Sequence, residues 1–237
     1  TSVVYVARAE LCKYFTVNYN NLDLSFVGTA PGASITPSGL RDTGSVAFGQ
    51  NATYTLDGVR VKLFSNTAKC SAGTHVVLRN GAYLELTAGN PCNLYADAYA
   101  NVRFDIEGGS TLYSGSVYCG TGAMFVLSNG TMRVSSGQNF PLANVAGAPV
   151  EFVFRGASPL LDAPNGCYAE KATAIFTFEI PEDGYTTVPI KGNNSTAMLH
   201  TGNKVYFHVP KASAPIRGAG RRMDVQLVTW QKGVTFS

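Results

Sequence analysis

Arg103, Asp105 and Glu107 alternate along one extended stretch, with Phe104 and Ile106 between them. In a strand such alternation puts all three charged side chains on one face and the apolar pair on the other. Glu85 sits one repeat earlier, between Leu84 and Leu86. Glycoside hydrolysis needs two carboxylates flanking the scissile bond. Arg103, Asp105, Glu107 and Glu85 are therefore the candidate ligand contacts, set in an external groove. The plainer alternative is a solvated sheet face with ion pairs between neighbours. Tyr95, Tyr99, Tyr113 and Tyr118 crowd into one long coil. Exposed rings stack on sugar faces and anchor interfaces, so Tyr95 and Tyr99 join the candidate contacts. The alternative is that these rings cover a loop and cap the apolar interior.

The other reactive residues lack an arrangement. His75 and His208 fall at outward strand positions and His200 falls in a loop. There is no Ser-His-Asp order, no Gly-x-Ser-x-Gly elbow and no phosphate-binding glycine loop, so no catalytic residue and no cofactor is assigned. Cys12, Cys70, Cys92, Cys119 and Cys167 contain no Cys-x-x-Cys pair, and the histidines are not at zinc spacing, so no metal site is expected. Cys70, Cys92 and Cys119 follow one another at intervals of 22 and 27 residues, and Cys167 lies 48 further on. If they stack, their spacing suits a disulfide, Cys70 to Cys92 or Cys92 to Cys119. The alternative is a buried thiol ladder used as small apolar filler. Cys12 stands outside this period.

Composition narrows the partners. The chain has 237 residues with 45% hydrophobic, enough for a sizeable core, and 14% charged. That charge content is low against roughly a quarter in average soluble domains. Eighteen Lys plus Arg against fifteen Asp plus Glu leave a net +3, which argues against a strongly basic nucleic-acid binder. No apolar run approaches the roughly 18 residues of a membrane span, so no membrane insertion is expected. Low charge with abundant Thr, Ser, Asn, Gly and Tyr fits a secreted or cell-surface chain. No signal peptide precedes Thr1, which reads as the start of a mature product or of an excised fragment.

The elements that must position these residues are strands. Helical periodicity is almost absent, while Val59-Arg-Val61, Leu84-Glu-Leu86, Val102 to Ile106 and Lys204 to Val209 alternate. The segments from Cys70 and Cys119 share one outline: Cys, a Gly three residues on, Val-Leu, a polar residue, Asn-Gly, a short strand and Gly. Phe104 to Leu112 repeats it with Gly108-Gly109 in place of Asn-Gly. An apolar residue before a turn recurs at Leu56, Leu78, Ile106, Leu127, Phe154, Ile180 and Val209, at intervals of 22, 28, 21, 27, 26 and 29. A second series follows each turn at Val61, Leu84, Leu112, Met132, Leu160, Val188 and Ile216. A period in the twenties with two strands and a sharp turn matches one coil of a β-solenoid, whose coils bury their side chains by stacking. Asn-Gly is also the strongest hairpin signal, so a β-sandwich or jelly roll is the alternative.

With these residues in place the chain resembles the pectin-lyase-like right-handed β-helix superfamily and the solenoid passengers of secreted bacterial surface proteins. Phe15 to Gly28 with Ala33-Ser-Ile-Thr36 looks like an opening coil, and Tyr54 to Val61 like the next. Val225 to Trp230 with Gly233 to Phe236 is similar to the terminal coils of passengers. The resemblance implies an all-β, single-stranded right-handed parallel β-helix of about seven to nine irregular coils. It is read as one domain over 1–237, with N-terminal coils or a cap in 1–50, regular coils in 51–215 and a closing coil or cap in 216–237. The enzymes of that superfamily cleave polysaccharides with Asn-Thr-Asp, Asp-Asp, Gly-His-Gly or Arg-x-Pro-x-x-Arg motifs, none of which occurs here. The expected function is a noncatalytic extracellular or cell-surface scaffold or adhesin, with polysaccharide or cell-surface glycan as the partner. The alternatives are a polysaccharide lyase, a glycoside hydrolase or a glycan-binding module on the same fold, and a phage or virus receptor-binding spike.

Overall fold

The structure is a computed structural model that describes residues 1–12, 19–37, 45–64, 67–87, 93–96, 101–115, 117–119, 122–135, 140–141, 150–163, 167–168, 174–192, 204–208 and 235–236. Among them the chain passes ten times through a first sheet, by the strands Ser2–Val6, Asp23–Gly28, Thr53–Asp57, His75–Arg79, Arg103–Glu107, Met124–Ser128, Val150–Arg155, Ala174–Glu179, Lys204–His208 and Thr235–Phe236. It passes eight times through a second sheet, from Ala9–Cys12 to Ile190–Gly192. A third sheet holds Ser45–Phe48, Thr67–Cys70, Asn93–Ala96 and Val117–Cys119. Phe140–Pro141 pairs with Cys167–Tyr168. In every sheet the spatial order follows the chain order, and the pairings are parallel. The chain therefore winds in one sense and lays each lap on the one before. This is the expected parallel β-solenoid; a sandwich of hairpins would need antiparallel neighbours.

Local sequence explains the winding. Asn-Gly makes corners here and not hairpins. Asn80 (φ 56°) and Gly81 (φ 73°) break the extended run after His75–Arg79 and redirect the chain into the second sheet. Gly108 and Gly109, with φ of 55° and 76°, do the same one lap later. The left-handed region favours Gly and tolerates Asn, which is why these two residues mark the period. The corners stack through their backbones: Gly81 N donates to Gly108 O at 3.0 Å and Gly109 N to Asn129 O at 2.7 Å. Each lap thus satisfies polar groups that its own turn leaves open.

The core is a set of columns. One runs Phe26, Leu56, Leu78, Ile106, Leu127, Phe154, Phe178 and Phe207. Five of its members were expected; at its end Phe178 and Phe207 take the places assigned to Ile180 and Val209. Ile180 is buried just past the end of its strand, and Val209 lies outside the described residues. The neighbouring column includes Phe104, Phe125, Phe152 and Phe176, with ring centroids 5.3, 5.1 and 5.3 Å apart and nearly parallel planes. In the second sheet Val61, Leu84, Leu112 and Met132 stack as expected, and Leu161 and Ile190 continue the column. Leu160 and Val188 were expected there. Leu160 is one residue out of phase and points to the other face, and Val188 is exposed. Ile216 lies outside the described residues.

The third sheet sets the cysteine register. Phe48, Cys70, Ala96 and Cys119 stack in that order. Ala96 occupies the level between Cys70 and Cys119 at which Cys92 was expected. Cys70 is buried, and the bridge expected from it to Cys92 falls on a residue outside those described. Cys92 itself lies outside the described residues, and with it the Cys92–Cys119 pairing.

Candidate functional site

Asp105 is the centre of the charged cluster on the first sheet. Its strand neighbours Phe104 and Ile106 belong to the inward columns, so its carboxylate is on the outer face. Expected to be solvated, it is only 6% exposed. The cause is its column, in which it lies between Val77 and Val126, with Val126 only 2% exposed. A buried carboxylate needs partners, and it has three donors. Arg103 Nε and Nη2 donate to Oδ2 and Oδ1 at 2.8 and 2.9 Å. His75 Nε2 donates to Oδ2 at 2.6 Å. His75 stands one lap earlier, opposite Arg103 in the register, and reaches Asp105 along the diagonal.

Burial pushes the Asp105 carboxyl up, but the hydrogen bonds from His75 and Arg103, with their charges, outweigh it and hold the group below its ordinary value. The same carboxylate raises the Arg103 guanidinium through its hydrogen bonds. A carboxylate held ionised has no proton to give, and three donors already occupy its two oxygens. Its chemistry is to fix Arg103 and His75. Because Asp105 accepts, His75 Nε2 carries a proton in this geometry.

The remaining candidates do not converge on it. Glu107 is on the same strand, opposite Ser128 and partly buried. Glu85 is around the corner on the second sheet, where it meets Lys62 Nζ at 3.2 Å. Tyr95 belongs to the third sheet, its backbone between Lys69 and Tyr118. Tyr99 lies outside the described residues. The expected patch is thus divided among three faces. His75, set aside in the sequence as a surface residue, is the member that was missed. The coil period between His75 and Arg103 was the signal that could have found it.

The outer face of the second sheet is a separate polar surface. The Arg60 guanidinium lies 4.8 Å from the centre of the Tyr83 ring, and that of Arg133 lies 5.8 Å from the centre of the Tyr113 ring. Arg133 Nε is also 3.5 Å from Asp162 Oδ2. Each of these pairs joins strands adjacent in the sheet, so the face consists of ladders of charge and aromatic rings.

Fold and site together define a parallel β-solenoid repeat protein with ion-paired outer faces. The chain matches no protein-family model, no curated protein and no solved structure. Among the described residues there is no group of three His, Cys, Asp or Glu side chains placed to hold a metal ion, and no helix is long and apolar enough to cross a membrane.

Proposed function

We propose that the protein is an extracellular or cell-surface solenoid that acts as a noncatalytic, adhesin-like scaffold and contacts polysaccharide or cell-surface glycan. The observation that carries this is the state of Asp105. The outward carboxylate best placed for acid-base work is engaged by three donors and held ionised, so it serves to shape a surface. The continuous columns support the same reading, because a stacked core builds long lateral faces on which contacts repeat at the coil spacing.

The test has two arms. Protease shaving of intact source cells should release peptides of the chain, and a glycan array should show retention. Purified protein incubated with neutral and acidic polysaccharides should generate no new chain ends. Cleavage that is abolished by Asp105→Ala would overturn the noncatalytic assignment and favour a carbohydrate-active enzyme. Peptides recovered only after lysis would overturn the surface location.

A further inference from the structure

We infer that the first-sheet edge of the N-terminal lap, Ser2–Val6, docks a second copy of this chain, strand against strand and antiparallel about Val4. Five of the six large hydrophobic side chains exposed among the described residues, Val3, Val4, Tyr5, Leu11 and Tyr19, belong to this lap. Three of them sit on one strand: Val3 is 47% exposed, Val4 40% and Tyr5 72%. That strand is the first of its sheet and pairs on one side only, with Asp23–Gly28. Its other edge presents a row of backbone donors and acceptors. Whatever covers the edge must hydrogen-bond to them, which a strand does and a lipid surface does not.

The run is complementary to itself. Val4 stacks on Phe26 and so heads an inward column, while Val3 and Tyr5 on either side of it point outward. A second copy turned antiparallel about Val4 sets its own Val4 against this one and closes the column at its open end. The same register sets Val3 opposite Tyr5 of the second copy, and Tyr5 opposite Val3, on the outer face. Aromatic and β-branched side chains are favourable cross-strand partners, so the two most exposed residues of the strand cover each other twice. The second-sheet edge of the lap is guarded instead. In Ala9–Cys12, Glu10 takes the inward position next to Ile35, which stacks on Val61, and Arg8 Nε lies 2.8 Å from Glu10 Oε1. An inward charge on an edge strand opposes stacking. Contact is therefore confined to Ser2–Val6, where it continues the lap-on-lap interface of the first sheet from one molecule into the next. An edge that pairs with its own copy is two-fold symmetric and closes at a dimer, whereas head-to-tail stacking would grow without end. Five residues a side bury less than the roughly 1,200 Å² of the smallest standard interfaces, so the dimer is weak and concentration-dependent.

The experiment is sedimentation equilibrium of the full chain from low micromolar to near-millimolar concentration. The chain should pass from monomer to dimer and no further. Val3→Lys with Tyr5→Lys in one chain places like charges opposite each other in both outer pairs, and dimerisation should weaken about tenfold or more. Val3→Glu with Tyr5→Lys places opposite charges there and should restore dimerisation at low salt relative to the double lysine variant, with the gain lost at high salt. Leu11→Lys, on the guarded second-sheet strand, is the control and should leave the dimer unchanged. Thermal melts establish that each variant is folded; should the double lysine variant melt out, Tyr5→Lys alone decides. A chain that stays monomeric throughout overturns the docking, and species that grow past the dimer overturn the two-fold pairing. A dimer that survives the lysine substitutions, or one that is lost in Leu11→Lys, overturns the assignment to this edge. Equal dimerisation of the double lysine and the Glu–Lys variants at low salt overturns the antiparallel register.

Discussion

At the scale of single residues, Asp105 links charge to stability. Its pKa in the folded chain is below its ordinary value. A carboxyl depressed by folding stabilises the fold above its unfolded pKa, and the contribution is lost as pH falls through the folded value. Asp105→Asn keeps the shape but removes the charge opposite Arg103 and His75. It should lower stability by about 2 kcal/mol near neutral pH, in the range for hydrogen bonds to charged groups. Chemical denaturation of both proteins across pH should show the gap closing as pH drops below the ordinary carboxylate range. A gap that stays constant into strong acid would mean that the charge is not the cause. Two glycines make a second comparison. A Cβ on Gly130 would fall 2.1 Å from the Ile106 carbonyl oxygen of the lap beneath, whereas one on Gly109 meets nothing within 4 Å but must sit at φ +76°. Gly130→Ala should therefore cost about 3 kcal/mol through overpacking, and Gly109→Ala about 1 kcal/mol through backbone strain alone. Equal losses in parallel denaturation curves would contradict the close approach of the two laps.

At the scale of elements, the phenylalanine column carries the packing and the outer ladders contribute little. Phe104, Phe125, Phe152 and Phe176 are all fully buried and stacked. Phe125→Ala should cost about 4 kcal/mol, the usual range for emptying such a site. Arg155→Ala removes an exposed pair in which Arg155 Nε lies 2.7 Å from Glu179 Oε2, and should cost under about 1 kcal/mol. Urea melts of the two variants would check the ratio. These elements also show what a reader of the chain alone could see. The corners were legible because Asn80-Gly81 and Gly108-Gly109 are residue types that a left-handed turn selects. The columns were legible up to Phe154, where one apolar residue stands before each turn. They slipped at Leu160-Leu161, since two adjacent leucines look alike to an alternation rule, and at Ile180, which follows its strand instead of ending it. The site was the least legible part. Pairing His75 with Asp105 needs the exact register of strands a whole coil apart, and the burial of Asp105 depends on Val77 and Val126 from two other laps.

At the scale of the whole molecule, stacking makes the protein nearly one-dimensional. Ten strands in the first sheet, at about 4.8 Å per step, give a stack of roughly 43 Å. Each lap touches mainly the laps on either side, so stability is close to a sum of coil terms and nearest-neighbour interfaces. A fault in the middle should then be felt asymmetrically. Phe152 pairs with Phe125 below and Phe176 above, and only two further first-sheet strands, Lys204–His208 and Thr235–Phe236, stack beyond Phe176 among the described residues. Phe152→Ala weakens both interfaces of its lap, but the shorter C-terminal stack has fewer neighbours to hold it closed. Amide exchange should therefore accelerate strongly in Ala174–Glu179 and Lys204–His208 and much less in Thr53–Asp57 and His75–Arg79. The reciprocal change, Tyr54→Phe, removes the hydroxyl that accepts from Gly49 N at 2.8 Å, and should loosen the early coils while leaving Ala174–Glu179 protected. A globular core would transmit either fault everywhere, and uniform acceleration across all strands in both variants would count against a fold held together one lap at a time.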